Sequence, residues 1–111
     1  MRKKILLPYG MSNSFYGFSN LQGKEKQLAT AYSPSGTEFP EKYLLHPEMA
    51  AAGLWSTPTD LAKFVIETQL AYMGKSNKVL SKTFTGKILE SRVATNSSYL
   101  PKYGALGVFY K

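Results

Sequence analysis

The segment Thr57-Pro58-Thr59-Asp60 constrains this chain more than any other, because three independent signals in it specify a helix start. Thr57 has a side chain that can accept from the exposed N–H groups of a first helical turn. Pro58 at the first helical position loses nothing by lacking an N–H. Asp60 at the third can reach back to the Thr57 N–H and also meets the positive end of the helix dipole. Downstream, Ala62, Val65, Ile66, Leu70 and Met73 fall on one face at helical spacing, and Gly74 supplies a stop at the C′ position.

Before this helix lies a run of small residues, Ala50-Ala51-Ala52, then Gly53, Leu54 and Trp55. Such an order predicts a sharp corner. A glycine there answers either a close backbone approach or a positive φ ahead of the cap. Leu54 and Trp55 read as packing residues.

The remaining elements are shorter. Residues 1 to 9 predict one helical turn that stops at Pro8. Residues 9 to 20, rich in Gly, Ser and Asn, read as a loop anchored by Met11, Phe15 and Phe18. Ser33-Pro34-Ser35-Gly36 is a turn signature between two extended arms, Leu28 to Tyr32 and Tyr43 to Leu45. A second helix is expected to begin near Ser81, with Phe84, Ile88 and Leu89 on one face and Gly86 weakening it. Residues 91 to 102 read as loop. Residues 103 to 111, which include Val108, Phe109 and Tyr110, read as a final strand. The expected class is α+β, mainly helical, with a short hairpin-like excursion and a C-terminal strand. Residues 1–111 read as a single domain.

Composition removes several functions. A hydrophobic content of 43% and eight tyrosines in 111 residues describe a folded globule with half-buried rings. No cysteine is present, so disulfides and thiolate metal sites are excluded. With His46 the sole histidine, a zinc site would need carboxylate or water ligands, and neither a metal nor any other cofactor is expected. The net charge of +7 is carried by Arg2, Lys3 and Lys4 and by lysines scattered singly. That distribution reads as a solvated surface and not as a nucleic-acid face. Ile5, Leu6 and Leu7 before Pro8 fall short of the roughly 7–15 apolar residues of a signal core. No stretch is long enough to span a bilayer, so the chain reads as soluble.

Nucleophilic catalysis needs a base or lysine held beside the nucleophile. No serine is followed three residues later by lysine, and Gly-x-Ser-x-Gly does not occur. Lys102-Tyr103-Gly104 has the outline of Lys-x-Gly, but bulky Tyr103 occupies the place of a small hydroxyl. Gly74-Lys75-Ser76 has Gln69 where a phosphate-binding loop needs its first glycine, and reads as a helix end with a polar loop. Gly104 to Gly107 and Asn96-Ser97-Ser98 are patterns short enough to recur by chance. No catalytic residue is assigned within the chain.

One longer pattern remains. "PEMAAAGLWSTPTDLAKF" (47–64) closely resembles a segment of the penicillin-recognising serine hydrolases: class C β-lactamase-like enzymes, low-molecular-weight penicillin-binding proteins and related esterases. "LLPYGMSNSFY" resembles the Pro-Leu-Gly-Met segment that precedes it in that family, with Tyr9 in place of leucine. "LATAYSPSGTEFP" and "YGALGVFYK" resemble the excursion between the two and the strand after the helical region. The resemblance spans nearly the whole chain in matching order.

It implies that this is the central region of such an enzyme. The acylated Ser-x-x-Lys and the proton-transfer Tyr-x-Asn would stand upstream of Met1. The Lys- or His-x-Gly strand would stand beyond Lys111. The resemblance further implies that Ala52 and Gly53 form part of a substrate-pocket wall. Class C enzymes commonly carry a tyrosine where this chain has Ala52, so an open peptidase or esterase pocket fits as well as a β-lactamase one. Thr57, Pro58 and Asp60 remain structural caps. The implied partners are the remainder of the parent enzyme and, bound to that parent, a β-lactam or peptidoglycan peptide. The implied location is extracytoplasmic. A second reading stays open: a non-catalytic binding or regulatory domain on the same scaffold, recognising cell-wall peptide or a protein.

Overall fold

The computed structural model describes residues 1–17, 21–41, 43, 47–90, 93–96, 98, 102–106 and 108–110. Phe18, Leu44, Leu45, His46 and Ser97, named above, lie outside the described residues, as does Gly107. The chain divides into two compact units, Met1–Ser12 with Pro58–Lys111, and Asn13–Thr57.

The first unit is built on α2 (Pro58–Tyr72) and α3 (Lys82–Leu89), which pack against each other, and on a wide helical turn at the N-terminus (Arg2–Leu6). The regular turn ends at Leu6, ahead of Pro8, but the backbone stays coiled beyond the proline. The Tyr9 N–H still donates to the Ile5 carbonyl at 3.1 Å, and the stop comes at Gly10, with φ of 74°. There Gly10 N–H reaches Leu7 O and Met11 N–H reaches Leu6 O, both at 2.8 Å. This paired closure spares the last carbonyls and needs a left-handed residue at its pivot. The same closure ends α2. Gly74, also at φ of 74°, donates to Ala71 O at 2.9 Å, and Lys75 N–H donates to Leu70 O at 2.8 Å.

α2 starts at Pro58, as the sequence specifies. Its apolar face, however, does not turn inward. Val65, Ile66 and Met73 are 50%, 55% and 56% exposed, while the buried positions are Asp60, Glu67 and Ala71. The reason is what is available to cover each stripe. Leu6, Tyr9 and Met11 from the N-terminal segment are the buried apolar partners in this unit, with Tyr9 meeting Phe64 edge-on at 5.4 Å. Tyr9 also lies near the Glu67 charge and hydrogen-bonds with Thr68.

α3 begins where expected. Ser81 caps it by accepting from the Phe84 N–H at 3.3 Å, and buried Thr85 donates its hydroxyl to Ser81 O at 2.9 Å. The region expected to be loop and then one strand forms a three-stranded antiparallel sheet in the order β3 (Val93–Ala94), β4 (Tyr103–Gly104), β5 (Phe109–Tyr110). Tyr103 pairs with both Ala94 and Tyr110. The C-terminal strand is thus divided by a turn closed from Ala105 N–H to Val108 O at 2.8 Å.

In the second unit β1 (Phe15–Tyr16) pairs antiparallel with β2 (Leu54–Trp55), Phe15 opposite Trp55. Beside this ladder Ser14 and Ser56 share a hydroxyl–hydroxyl bond of 2.8 Å, and Leu21 is buried. The excursion is a hairpin about Pro34-Ser35. Ser33 N–H meets Thr37 O at 2.8 Å, Phe39 N–H meets Ala31 O at 3.0 Å, and Tyr32 bridges Glu38. Its second arm is therefore 37–39, earlier than the Tyr43 to Leu45 expected; Tyr43 instead sets its ring edge-on to Trp55 at 5.2 Å. A four-residue helix, α1 (Met49–Ala52), precedes β2. The whole is α+β and mainly helical, with short antiparallel sheets.

Replacing Gly74 by alanine puts a Cβ at a left-handed position, 3.2 Å from the Lys82 side chain. The expected loss is about 1–2 kcal/mol, read as a lower urea midpoint with an unchanged slope.

Candidate functional site

The corner singled out in the sequence is a tight one. α1 closes with Gly53 N–H donating to Met49 O at 2.9 Å. Gly53 has φ of −102°, so a left-handed backbone is not what it answers. A Cβ added there would sit 2.6 Å from the Met49 carbonyl oxygen and 2.8 Å from its Cα. Backbone atoms so placed cannot move aside as a flexible side chain can. Close approach is therefore what glycine answers here. Gly53 is buried, whereas Ala52 is exposed.

Ala52, Gly53 and Thr57 belong to the second unit, Pro58 and Asp60 to the first. Thr57 is half-buried and Pro58 exposed. Asp60, read as a cap residue, is fully buried and pairs with Lys63 Nζ at 3.1 Å. The same ammonium donates to Gly10 O at 2.7 Å. Lys63 thus joins a helix carboxylate to the carbonyl end of the N-terminal turn, where a cation meets the negative end of the local dipole.

Two turns along, Glu67 is also buried. The Ser76 hydroxyl and, at 3.1 Å, Lys78 Nζ donate to its two oxygens. The Ser76 hydrogen bond holds the Glu67 carboxyl below its ordinary value near 4.5; burial works against this and Lys78 adds to it. Burial raises the neighbouring Tyr9 phenol above its usual value, a hydrogen bond with Thr68 opposes the rise, and the Glu67 charge reinforces it. Sequence reasoning did not find this cluster. Asp60 and Lys63 are readable as an i,i+3 pair, but Ser76 and Lys78 reach Glu67 only because the chain reverses at Gly74.

An apolar groove of about 500 Å³ lies in the first unit, walled by Phe64, Val65, Tyr72, Met73, Leu89 and Val108. Neither Ala52 nor Gly53 lines it. Among the described residues no group of three His, Asp or Glu side chains is placed to hold a metal ion. No described helix is long and apolar enough to cross a membrane.

The fold defined by these elements is similar to part of one solved penicillin-binding protein homologue. The solved structure of an octameric penicillin-binding protein homologue from Pyrococcus abyssi matches 94% of this chain with a TM-score of 0.63, at 23% sequence identity. This chain corresponds to 23% of the length of that one. No protein-family model matches the chain, and no curated protein does.

Because the folded carboxyl of Glu67 titrates below the unfolded one, its contribution is complete above about pH 4.5 and is lost as the pH falls through the folded value. We expect acid to destabilise the wild type over that interval, and Glu67→Gln to start less stable at neutral pH and lose less on acidification. Urea unfolding as a function of pH measures both.

Proposed function

We propose that this chain is the central slab of a penicillin-recognising serine hydrolase, one whose reactive groups lie on other segments of the parent protein. One observation carries the reading. The segment "AAGLWSTPTDLAKF" has the order of the family's approach to its cleft, in a chain whose fold matches that of a penicillin-binding protein homologue.

In the parent, a serine supplied from outside these residues attacks a strained or peptide-like carbonyl carbon and forms an acyl-enzyme. A water or an amine then displaces the serine and releases the acid or the transferred product. Donors aimed at the developing oxyanion would come from the flanking motifs. This chain would contribute scaffold and wall. Ala52 and Gly53 would stand nearest the chemistry, and exposed Ala52 would leave the pocket wider than a tyrosine there. Thr57, Pro58 and Asp60 hold the helix start. A β-lactam, peptide or ester would be the ligand of the assembled parent, which on this reading works outside the cytoplasm.

The absence of Ser-x-x-Lys and of any complete nucleophile, base and donor set supports inactivity of residues 1–111 alone. Purified 1–111 is expected to show no covalent labelling by a fluorescent penicillin and no turnover of a chromogenic β-lactam or ester. Labelling of one of its own side chains would overturn the reading. A coding sequence around this segment that lacked a Ser-x-x-Lys upstream would overturn it as well.

A further inference from the structure

One carboxylate holds the connection between α2 and α3. Gly74, with φ of 74°, reverses the chain, and Lys75 N–H makes the last bond back to α2, to Leu70 O at 2.8 Å. From there to the Ser81 cap of α3 the backbone is unsupported. Among the described residues no N–H or carbonyl of Ser76 to Leu80 takes part in a hydrogen bond. The polar tethers of this stretch are two side chains, the Ser76 hydroxyl and the Lys78 ammonium. Both end on Glu67, each on a different oxygen of the carboxylate.

The two ends of the tether differ in their access to water. The Glu67 side chain is 7% exposed and the Lys78 side chain 61%. The carboxylate has given up solvent and depends on its donors, whereas the ammonium has kept solvent and can leave. A proton on Glu67 removes the charge that attracts Lys78 and turns one acceptor oxygen into a donor. The other groups nearby do not restore the tether. Lys63, one turn earlier on α2, is bound to Asp60 and to the Gly10 carbonyl. From the N-terminal segment the Tyr9 phenol stands near the Glu67 charge and is uncharged in acid. From α3 the Lys82 side chain lies beside Gly74.

We propose that residues 76–80 form an acid-released latch, closed on α2 while Glu67 is ionised and free to leave it once Glu67 takes up a proton. α3 follows directly from Ser81, so the latch governs how firmly the start of α3 is tied to the end of α2. The folded carboxyl titrates below about 4.5, so the latch is closed at neutral pH and opens as the pH falls through the folded value. Opening is local and precedes the unfolding of α2 and α3. The inference concerns this connection alone and holds whatever chemistry the parent performs.

The test follows the full chain by NMR as the pH is lowered from neutrality. The Glu67 carboxyl carbon reports its protonation, and amide order parameters of residues 76–80 report their motion. As Glu67 protonates, those order parameters are expected to fall from about 0.85 to below about 0.6, with the amides of α2 and α3 unchanged. Glu67→Gln is expected to show the low values already at neutral pH and no further change on acidification. Ser76→Ala and Lys78→Met, which keep the carboxylate, are each expected to move the Glu67 midpoint and the opening upward together, since each removes a donor that favours the charged form. Order parameters that stay high while Glu67 takes up its proton would overturn the proposal. So would loss of order in residues 76–80 in a single step with α2 and α3, which is global unfolding. A midpoint unmoved in both Ser76→Ala and Lys78→Met would overturn it as well.

Discussion

The first unit depends on one ammonium group. Lys63 Nζ lies 3.1 Å from a fully buried Asp60 oxygen and 2.7 Å from the Gly10 carbonyl. A buried carboxylate is costly unless its charge is matched, and a helical turn of a few residues has little stability of its own. The Lys63 side chain contributes to both, because Gly10 turns the chain so that its carbonyl is offered to α2. Leu6, Tyr9 and Met11 of the same segment are buried, and Tyr9 meets Phe64 of α2 edge-on. Glu67 repeats the arrangement further along α2, drawing in Ser76 and Lys78 from the loop beyond Gly74.

This arrangement inverts the usual helix. Buried positions of α2 carry carboxylates, and apolar side chains face outward. Hydrophobic area left in water is a loss that a stable surface offsets by covering it. The buried carboxylates, paired with the partly exposed Lys63 and Lys78, set the rotation of α2 about its own axis, so Leu61, Val65 and Tyr72 cannot turn inward without moving Asp60 and Glu67 to a new environment. The same electrostatics that hold the N-terminal turn therefore present that apolar face.

The start and end of α2, the start of α3, the turn at Ser33 to Gly36 and the α+β composition were legible because each is set by local chemistry: a proline at a first position, a glycine with positive φ, a serine cap. The inward face of α2 was not legible, since spacing identifies a stripe but not what lies against it. The regular turn ends at Leu6, before Pro8, while hydrogen bonds keep the backbone coiled as far as the left-handed Gly10, which the proline alone did not signal. The strands beyond residue 91 are two residues each, too short for alternation to register. At Gly53 the sequence left close approach and positive φ as alternatives, and the backbone chose the first. The Glu67, Ser76 and Lys78 cluster joins residues on either side of a chain reversal and leaves no periodic mark.

The central claim is that Lys63 anchors the N-terminal turn to α2. Native-state hydrogen exchange on wild type and on Lys63→Met, which keeps most of the aliphatic stem, tests it most directly. The account predicts that the hydrogen-bonded amides of Tyr9, Gly10 and Met11 lose protection in the variant while the Gly74 and Lys75 amides at the far end of α2 retain theirs. Unchanged protection at Tyr9, Gly10 and Met11 would contradict it.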